Sequence, residues 1–364
     1  MWNRRQFLVR GAAVSLALAQ GRWALSAPVP KRKADEAGKL ITPALRKVIE
    51  AGLKSLGAGQ HEDGSFGLGG FTGNVGITSL AALAFLAAGH EPDGSPRGKI
   101  VGKALDFVLS QENRQGGHPG YLHNPNASPH GPMYNHGFAT LFLAFLHGKK
   151  KDKGKPAKYD DVLERAVQLL VASQNKEGGW RYTPTSKDAD ITVTACQMMA
   201  LAAARQACLK VPKETTDAGV GYIKKCFTPA TGAFKYMLQG GGRPAFSRTA
   251  AAVAALQAMG IHKGEEFETG LAFLDQERPA PVERPAPAPR PDMHFYFGRY
   301  YAARVMHVRD GETWKEWYAA LAKELEGQQQ ADGSWLDQID QHYATAMACL
   351  ILQVPNNYLP IMQK

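Results

Sequence analysis

One short motif recurs along this chain and constrains its fold more than any other feature. Its form is Gln-x-x-x-Gly-x-aromatic, and clear copies occupy residues 60–66, 174–180 and 329–335. Weaker copies follow Gln111 and Phe227. One glycine from each copy gives steps of 52, 62, 54 and 101 residues, taken between Gly64, Gly116, Gly178, Gly232 and Gly333. Because the last step is about two of the others, the spacing predicts six repeats, the fifth without a recognisable turn.

Each motif lies between two helical patterns. The segment before it carries charges on one face and apolar residues on the other, as in 43–56, 99–109, 159–172, 216–226, 266–275 and 313–327. The segment after it is rich in Ala, Leu, Met and Thr, as in 77–88, 137–146, 191–204, 247–259, 296–305 and 343–352. Six such hairpins predict an all-α (α/α)6 toroid, or barrel, with an amphipathic outer ring and an apolar inner ring.

The first thirty residues are typical of an export signal. Arg4 and Arg5 precede an apolar stretch rich in Gly and Ala, and small residues around Ala27 offer a cleavage site. We therefore expect residues 1–30 to be a twin-arginine-type signal peptide and 31–364 to form a single toroid domain in the periplasm or cell envelope. Retention of the signal, and with it association with a membrane surface, is the alternative.

The net charge of +10 is concentrated in two segments. Four arginines lie in the signal region, and residues 149–158 carry six lysines and one Asp. Because a phosphate-tracking groove needs basic residues spread along one face, this distribution indicates a solvated loop and excludes nucleic acid as a partner. A second loop is predicted at 279–291, where six of thirteen residues are proline.

The four cysteines show no pairing or metal-ligand spacing. Cys196, Cys208, Cys226 and Cys349 lie in or at the ends of apolar segments without a Cys-x-x-Cys pair. We expect them to be core residues, with no zinc site and no disulfide framework.

The repeat order brings six helix starts together. Every inner helix follows its turn in the same direction, so all six N-termini should meet at one mouth of the toroid with their N–H groups and positive dipole ends. The residues placed there are polar and partly aromatic, and an anionic or electron-rich ligand is favoured at such a mouth.

The repeated turns resemble the signature of the squalene cyclase and protein prenyltransferase β-subunit superfamily over nearly all of 40–364. The chain is most similar to the exported prenyltransferase/squalene-oxidase repeat proteins of some bacteria, through 133–137, 190–194, 197–201 and 359–361. This resemblance implies a toroid around an apolar cavity and an isoprenoid or other apolar ligand.

One segment carries the chemistry that the resemblance implies. Squalene cyclases protonate an alkene with the middle Asp of Asp-x-Asp-Asp-Thr, and residues 188–192 match this pattern except that Ile191 replaces the last Asp. The resemblance thus implies Asp190 as the acid with Asp188 beside it. The Asp-x-Cys zinc pair of protein prenyltransferases does not occur in the sequence, so no metal and no prenyl transfer to protein are expected. No phosphate loop or other cofactor motif is found, and we expect no cofactor.

Each candidate residue has a structural alternative. For Asp190 the alternative is a cap of the following helix. For His136, the third catalytic candidate, it is a satisfied structural histidine. The candidate ligand-binding residues are Tyr134, Arg248, Tyr296, Tyr300 and His342. Among them the alternative for Arg248 is an ion pair with Asp190 or Asp340, and Tyr296 and Tyr300 share one helix face.

Three functions remain open at this point. The first is an exported terpenoid-cyclase-like protein that binds or isomerises an isoprenoid or other apolar ligand. The second is a non-catalytic scaffold for a protein partner, since a toroid offers a large rigid surface. The third is a polysaccharide lyase-type toroid enzyme that uses Tyr, His, Asn and Arg for proton abstraction.

Overall fold

The computed structural model describes residues 40–115, 117–127, 131–149, 155–240, 245–277, 294–309 and 311–356. The predicted signal peptide at 1–30 and the proline-rich loop at 279–291 lie outside these residues, as do positions 150–154 of the lysine-rich segment. Within the described ranges, no helix combines the length and apolar character needed to cross a bilayer.

The described residues form twelve α-helices and two small hairpins. The outer helices are α1 Pro43–Ala58, α3 Pro96–Ser110, α5 Asp160–Ala172, α7 Lys213–Lys225, α9 Glu265–Gln276 and α11 Gly311–Glu326. The inner helices are α2 Val75–Ala87, α4 Pro132–Lys149, α6 Ile191–Gln206, α8 Phe246–Ala258, α10 Phe295–Arg309 and α12 Gln341–Leu352. The strands are β1 Glu112–Asn113, β2 Tyr121–Leu122, β3 Phe227–Thr228 and β4 Ala233–Phe234.

The inner helices form a closed ring. Each packs on the next along the chain, and α12 packs on α2, so the ring has no free end. The two rings differ in burial because the outer helices are amphipathic, whereas every residue of α2 is buried. The predicted (α/α)6 toroid is confirmed.

The motif glutamines join neighbouring repeats. In the three clear copies, the glutamine donates its amide N–H to the carbonyl of its own turn glycine and to a carbonyl of the next outer helix, at 2.7–3.0 Å. The pairs with the next helix are Gln60–Ile100, Gln174–Thr215 and Gln329–Val48. The last pair links the sixth repeat to the first and so helps to close the ring.

The turn glycines dock against the same helices. Their φ angles are positive, between 67° and 92°, and a Cβ would lie 2.3–2.8 Å from the next outer helix; they are Gly64, Gly120, Gly178, Gly232 and Gly333. Gly116, which the sequence spacing selects for the second repeat, lies outside the described residues, and Gly120 occupies the turn position. The register was wrong because the β1–β2 hairpin lengthens this turn, which also introduces strands that the sequence did not predict. The fourth turn contains the β3–β4 hairpin.

The residue two positions after each turn glycine is bonded to the following inner helix. Its backbone N–H donates to a buried threonine hydroxyl in four repeats, at 2.9–3.1 Å: Phe66–Thr78, Trp180–Thr194, Phe234–Thr249 and Trp335–Thr345. The side chains of these four aromatic residues are buried, which confirms that they are packing residues. Leu122 takes this place in the second repeat.

Three of the four cysteines are core residues. Cys196, Cys226 and Cys349 are buried. Cys208 is exposed and has a φ of 69°, because α6 ends at Gln206 and the chain reverses there. The prediction of a core position was therefore wrong for Cys208.

Candidate functional site at the mouth of the inner ring

Polar residues cap three of the inner helices at the mouth. The side chain of Asn74 accepts the N–H of Ile77 at the start of α2, and Asp340 accepts that of Tyr343 at the start of α12. Asp190 caps α6. These bonds satisfy N–H groups that a helix start leaves without partners.

Asp190 differs from the other caps in how its two oxygens are used. The residue is fully buried. Its Oδ1 accepts three hydrogen bonds, from the N–H groups of Thr192 and Val193 at 3.0 and 2.8 Å and from the Thr192 hydroxyl at 2.7 Å. Its Oδ2 is buried and has no hydrogen-bond partner among the described residues. Burial raises the pKa of Asp190, while the hydrogen bonds and the charge of Arg181 act in the opposite direction.

A chain of hydroxyl groups leads to Asp190. Tyr134 donates its hydroxyl to Thr192 Oγ1 at 2.6 Å, and Thr192 donates to Asp190 Oδ1. The ring of Tyr134 meets Phe297 edge-on, with the centroids 6.2 Å apart, and Phe297 meets Tyr301 at 4.8 Å. Burial and the negative charge of Asp190 raise the pKa of Tyr134 well above its ordinary value, so the phenol stays protonated.

Asp188 lies beside this cluster in an ion pair. Its carboxylate is bonded to the guanidinium of Arg181, which also lies 5.2 Å from the ring centroid of Tyr182. Its backbone carbonyl accepts the side-chain amide of Asn175 at 2.6 Å. The Asp188 carboxylate thus pairs with Arg181 at a partly exposed position, and of the two residues Asp190 is the one with a buried carboxyl oxygen that has no hydrogen bond from the described residues.

Two tyrosines at the mouth were not predicted. Tyr182 and Tyr236 each follow a turn aromatic by two positions, and their hydroxyl oxygens are 2.5 Å apart. Their carbonyls accept the N–H groups of Met133 and Ile191, the residues at the starts of α4 and α6. Arg248 lies 5.0 Å from the Tyr236 ring centroid. The signal that would have found them is their common offset from the repeat motif.

His136 is held by backbone groups on both ring nitrogens. Nδ1 accepts the N–H of Leu122 at 3.2 Å, which is the bond that threonine hydroxyls accept in the other repeats. Nε2 donates to the carbonyl of Ala166 at 3.1 Å. Burial lowers the pKa of His136 to about 4, so the ring is neutral at pH 7. This placement supports a structural role, the alternative that the sequence left open.

The remaining candidates lie apart from Asp190. Tyr296 is buried and donates its hydroxyl to the carbonyl of Leu336 at 3.3 Å. Tyr300 is buried against Arg304, whose guanidinium donates to its hydroxyl at 3.3 Å. His342 accepts the N–H of Gly67 through Nδ1, at the junction of the last and first repeats. The structure therefore brings Tyr134 together with Asp190, while Arg248 joins the adjacent tyrosine pair.

Two open clefts lie on the outside of the toroid. One, of about 390 Å³, is lined by Glu268, Leu271, Ala272, Asp275, Gln276 and Arg309. The other, of about 400 Å³, is lined by Arg114, Lys158, Asp161, Val162 and Arg165. Neither includes a mouth residue. Groups of three or more His, Cys, Asp or Glu that would hold a metal do not occur in the described ranges.

Comparison with known proteins identifies structural neighbours but no sequence relatives. No family model matches the chain, and no curated protein matches it. A GH76 alpha-mannanase from Bacteroides thetaiotaomicron superposes with a TM-score of 0.64 at 10% identity, covering 90% of this chain and 100% of that one. An inactive GH76 alpha-1,6-mannanase variant from Salegentibacter, in complex with alpha-1,6-mannotriose, gives 0.58 at 8% identity, with coverages of 86% and 99%.

The second kind of neighbour is a type II terpene cyclase. A variant of the Scytonema enzyme MstE in complex with geranylgeranyl dihydroxybenzoate gives a TM-score of 0.58 at 14% identity and covers 90% of this chain and 99% of that one. At these identities the likeness concerns the fold alone. The chain thus has the (α/α)6 toroid fold that both terpene cyclases and GH76 mannanases use.

Proposed function

We propose that this protein is a toroid enzyme that binds an isoprenoid or other apolar ligand at the mouth of its inner ring and protonates a carbon–carbon double bond with Asp190. The observation that carries the proposal is the asymmetry of the Asp190 carboxyl. Its Oδ1 accepts three hydrogen bonds, while Oδ2 is buried without a hydrogen-bond partner among the described residues.

This asymmetry fixes the position of the proton. A proton on Oδ1 would displace at least one of the three donors, so the neutral acid carries it on Oδ2. Burial raises the pKa of Asp190 and so favours that neutral form. The hydrogen bonds to Oδ1 and the charge of Arg181 stabilise the carboxylate that remains after proton transfer. Burial therefore favours the neutral acid, and the hydrogen bonds and Arg181 favour its conjugate base.

The chemical step is a proton transfer to carbon. The π electrons of the alkene form a new C–H bond with the Oδ2 proton, the O–H electron pair stays on the carboxylate, and a carbocation forms on the ligand. The faces of Tyr134, Phe297 and Tyr301 supply electron density for a cation near Asp190, and their mutual edge-on packing holds them in place. Loss of a proton from carbon to the carboxylate completes an isomerisation and restores the acid.

The test compares the wild-type protein with Asp190→Asn. The amide keeps an oxygen to cap α6 but cannot supply the proton, so turnover of linear polyprenes such as squalene, followed by gas chromatography and mass spectrometry, should fall at least about 100-fold. Asp63→Asn is the control, because it makes the same carboxyl-to-amide change in an exposed turn, where Oδ1 accepts only the N–H of Ser65 among the bonds described. Equal turnover by the wild-type protein and Asp190→Asn would exclude Asp190 as the acid.

Binding measured in the same samples separates the alternatives. A polyprene that binds without being converted would indicate a carrier. Neither binding nor turnover would favour the interaction scaffold, for which the fold alone suffices.

A second candidate function is action on a carbohydrate. Tyr182 is 39% exposed, and its hydroxyl contact with Tyr236 and the neighbouring guanidinium of Arg181 provide an aromatic surface with polar groups beside it. Burial raises the pKa of Tyr236, which disfavours it as a phenolate base, so this observation supports sugar binding more than lyase chemistry. Binding of mannan or uronate oligosaccharides that Tyr182→Ala abolishes, with polyprenes inert, would support this candidate.

We also propose that the protein acts outside the cytoplasm. The support is the sequence alone, through Arg4 and Arg5 and the apolar stretch that follows them. Replacing both arginines with lysine should leave the protein in the cytoplasmic fraction of a host with a twin-arginine translocase. Unchanged distribution of this double variant would overturn the assignment.

A further inference from the structure

A glycine-rich segment after the first turn is bonded to the start of α12. We call residues 67–73, with the sequence Gly-Leu-Gly-Gly-Phe-Thr-Gly, the strap. It connects the first turn to α2, and Leu68 in it is 40% exposed. Gly67 has a φ of 112°, and a Cβ there would lie 1.9 Å from the carbonyl oxygen of Phe71. The strap therefore has a tight conformation, and Phe71 is its one large side chain packed against the core.

Two histidines and one carboxylate hold the strap. The Gly67 N–H donates to Nδ1 of His342 at 3.0 Å, and the Gly67 carbonyl lies 2.7 Å from Nε2 of His61. The next N–H, that of Leu68, donates to Oδ2 of Asp340 at 2.7 Å. Gly67 and Leu68 are thus bonded to His342 and Asp340 at the start of α12. Gly67 is also bonded to His61 in the first turn.

These bonds dictate where the protons lie. Because an N–H group donates to His342 Nδ1, that nitrogen must carry no proton. Because a carbonyl only accepts, His61 Nε2 must carry one. The opposite nitrogen of His342 faces Gly59, where a Cβ would lie 2.3 Å from Nε2. Neutral His342 with a bare Nδ1 already carries its proton on Nε2, so an added proton goes to Nδ1 and confronts the Gly67 N–H directly.

Burial and two neighbouring titratable groups act on the pKa of His342 in opposite directions. Burial is the main influence and lowers the pKa of His342, the Asp340 carboxylate raises it, and His61 lowers it again. The two imidazole centroids are 6.2 Å apart, and the Phe66 ring lies edge-on at 5.7 Å from that of His342. The closed strap thus favours neutral His342, and a released strap lets His342 take up a proton in water.

We propose that the strap is an acid-released latch, with neutral His342 as its catch, whose release opens the mouth at the junction of the first and sixth repeats and becomes more favourable as the pH falls through the ordinary histidine range. Protonation removes the acceptor for Gly67 and leaves the bonds to His61 and Asp340 at this end of the strap, while the bond from Asn124 to the Gly73 carbonyl keeps the other end in place. This inference does not depend on the activity proposed above. With an ordinary histidine pKa near 6.5 in the released state, release becomes up to about 30-fold more favourable at pH 5 than at pH 7.5.

Hydrogen exchange on the full chain measures this release. Amide exchange in peptides that cover residues 66–72 is followed by mass spectrometry between pH 5 and 7.5, with times scaled for the intrinsic rate. The reference is the peptide that contains Trp180, whose N–H donates to the hydroxyl of Thr194 and should not respond to His342. We expect protection of the strap, relative to this reference, to fall by as much as about 30-fold towards pH 5.

Two variants identify the group responsible. His342→Asn presents an amide oxygen near the position of Nδ1 and does not titrate, so its strap should stay protected at pH 5. His61→Gln keeps a donor for the Gly67 carbonyl, so the pH dependence should remain. Constant protection in the wild-type chain, or the same loss of protection in His342→Asn, would overturn the proposal.

An NMR titration of His342 covers the case in which His342→Asn does not fold, as judged by the Trp180 peptide. Its midpoint in the wild-type chain should coincide with the midpoint of the chemical-shift changes of the strap amides in the same titration. Midpoints that differ by more than about one pH unit would refute the latch, because release and protonation would then be separate events.

Discussion

Gly178→Ala should destabilise this protein by about 1–3.5 kcal/mol, because backbone strain and a steric collision act at the same position. The φ of Gly178 is 92°, and an L-residue held there is strained by about 1–3 kcal/mol. A Cβ would also lie 2.5 Å from the carbonyl oxygen of Ala218, so α7 must move away from the turn. That shift lengthens the 2.9 Å bond from Gln174 to Thr215, which contributes about 1 kcal/mol. The loss of chain entropy in the unfolded state offsets about 0.4–1 kcal/mol.

Urea unfolding followed by circular dichroism tests this value, through the change in midpoint at constant slope. Gly221→Ala is the matched control, since it lies inside α7 and a Cβ there meets nothing within 4 Å. Because Gly221 occupies an ordinary helix position, Gly221→Ala should raise the free energy of unfolding by about 0.5–1 kcal/mol. If the free energy of unfolding of Gly178→Ala is less than about 1 kcal/mol below that of Gly221→Ala, the turn is not docked on α7 in the manner described.

Three further predictions concern other parts of the toroid. Because the folded-state pKa of Asp190 is raised above its ordinary 3.8, the folded chain prefers the protonated acid and loses stability as the pH rises past that value; Asp190→Asn should remove this part of the pH dependence of the melting temperature between pH 4 and 8. His136→Ala leaves the Leu122 N–H without its acceptor and should lower the free energy of unfolding by about 2–4 kcal/mol, with His136→Thr recovering part of the loss in urea unfolding. Gln329→Leu removes the bond to Val48 that joins the last repeat to the first and should lower the free energy of unfolding by about 1–3 kcal/mol. Hydrogen exchange should then increase in α1 around Val48 and not in α6.

The sequence predicts the architecture well because the residues that shape each repeat lie close together in the chain. The glutamine, the glycine and the aromatic residue of a motif act within one turn and on the next outer helix, so their spacing reports directly on repeat number. The alternation of amphipathic and apolar segments then distinguishes the outer ring from the inner ring, and the helices lie close to the predicted ranges. The assignment of Gly116 was wrong where the β1–β2 hairpin lengthened the turn without changing its composition.

The site was only partly accessible from sequence. Asp190 stands out through its segment, and its capping of α6 follows from its position before an apolar run. The contact between Tyr182 and Tyr236 joins side chains 54 positions apart, and Tyr134 and Thr192 are 58 apart. Pairs at such separations leave no local pattern, since they meet only when neighbouring repeats dock.

The sequence by itself determined six helical hairpins, the direction of the inner helices and the meeting of their N-termini at one mouth. Those features depend on interactions within a repeat or between successive ones, which periodicity records. Only the tertiary structure decided which polar groups find partners. It gave His136 the bond that threonine accepts elsewhere and left Asp190 Oδ2 buried without a described hydrogen bond. It also placed Gly67 between His61 and His342, because residues about 280 positions apart meet only when the ring closes.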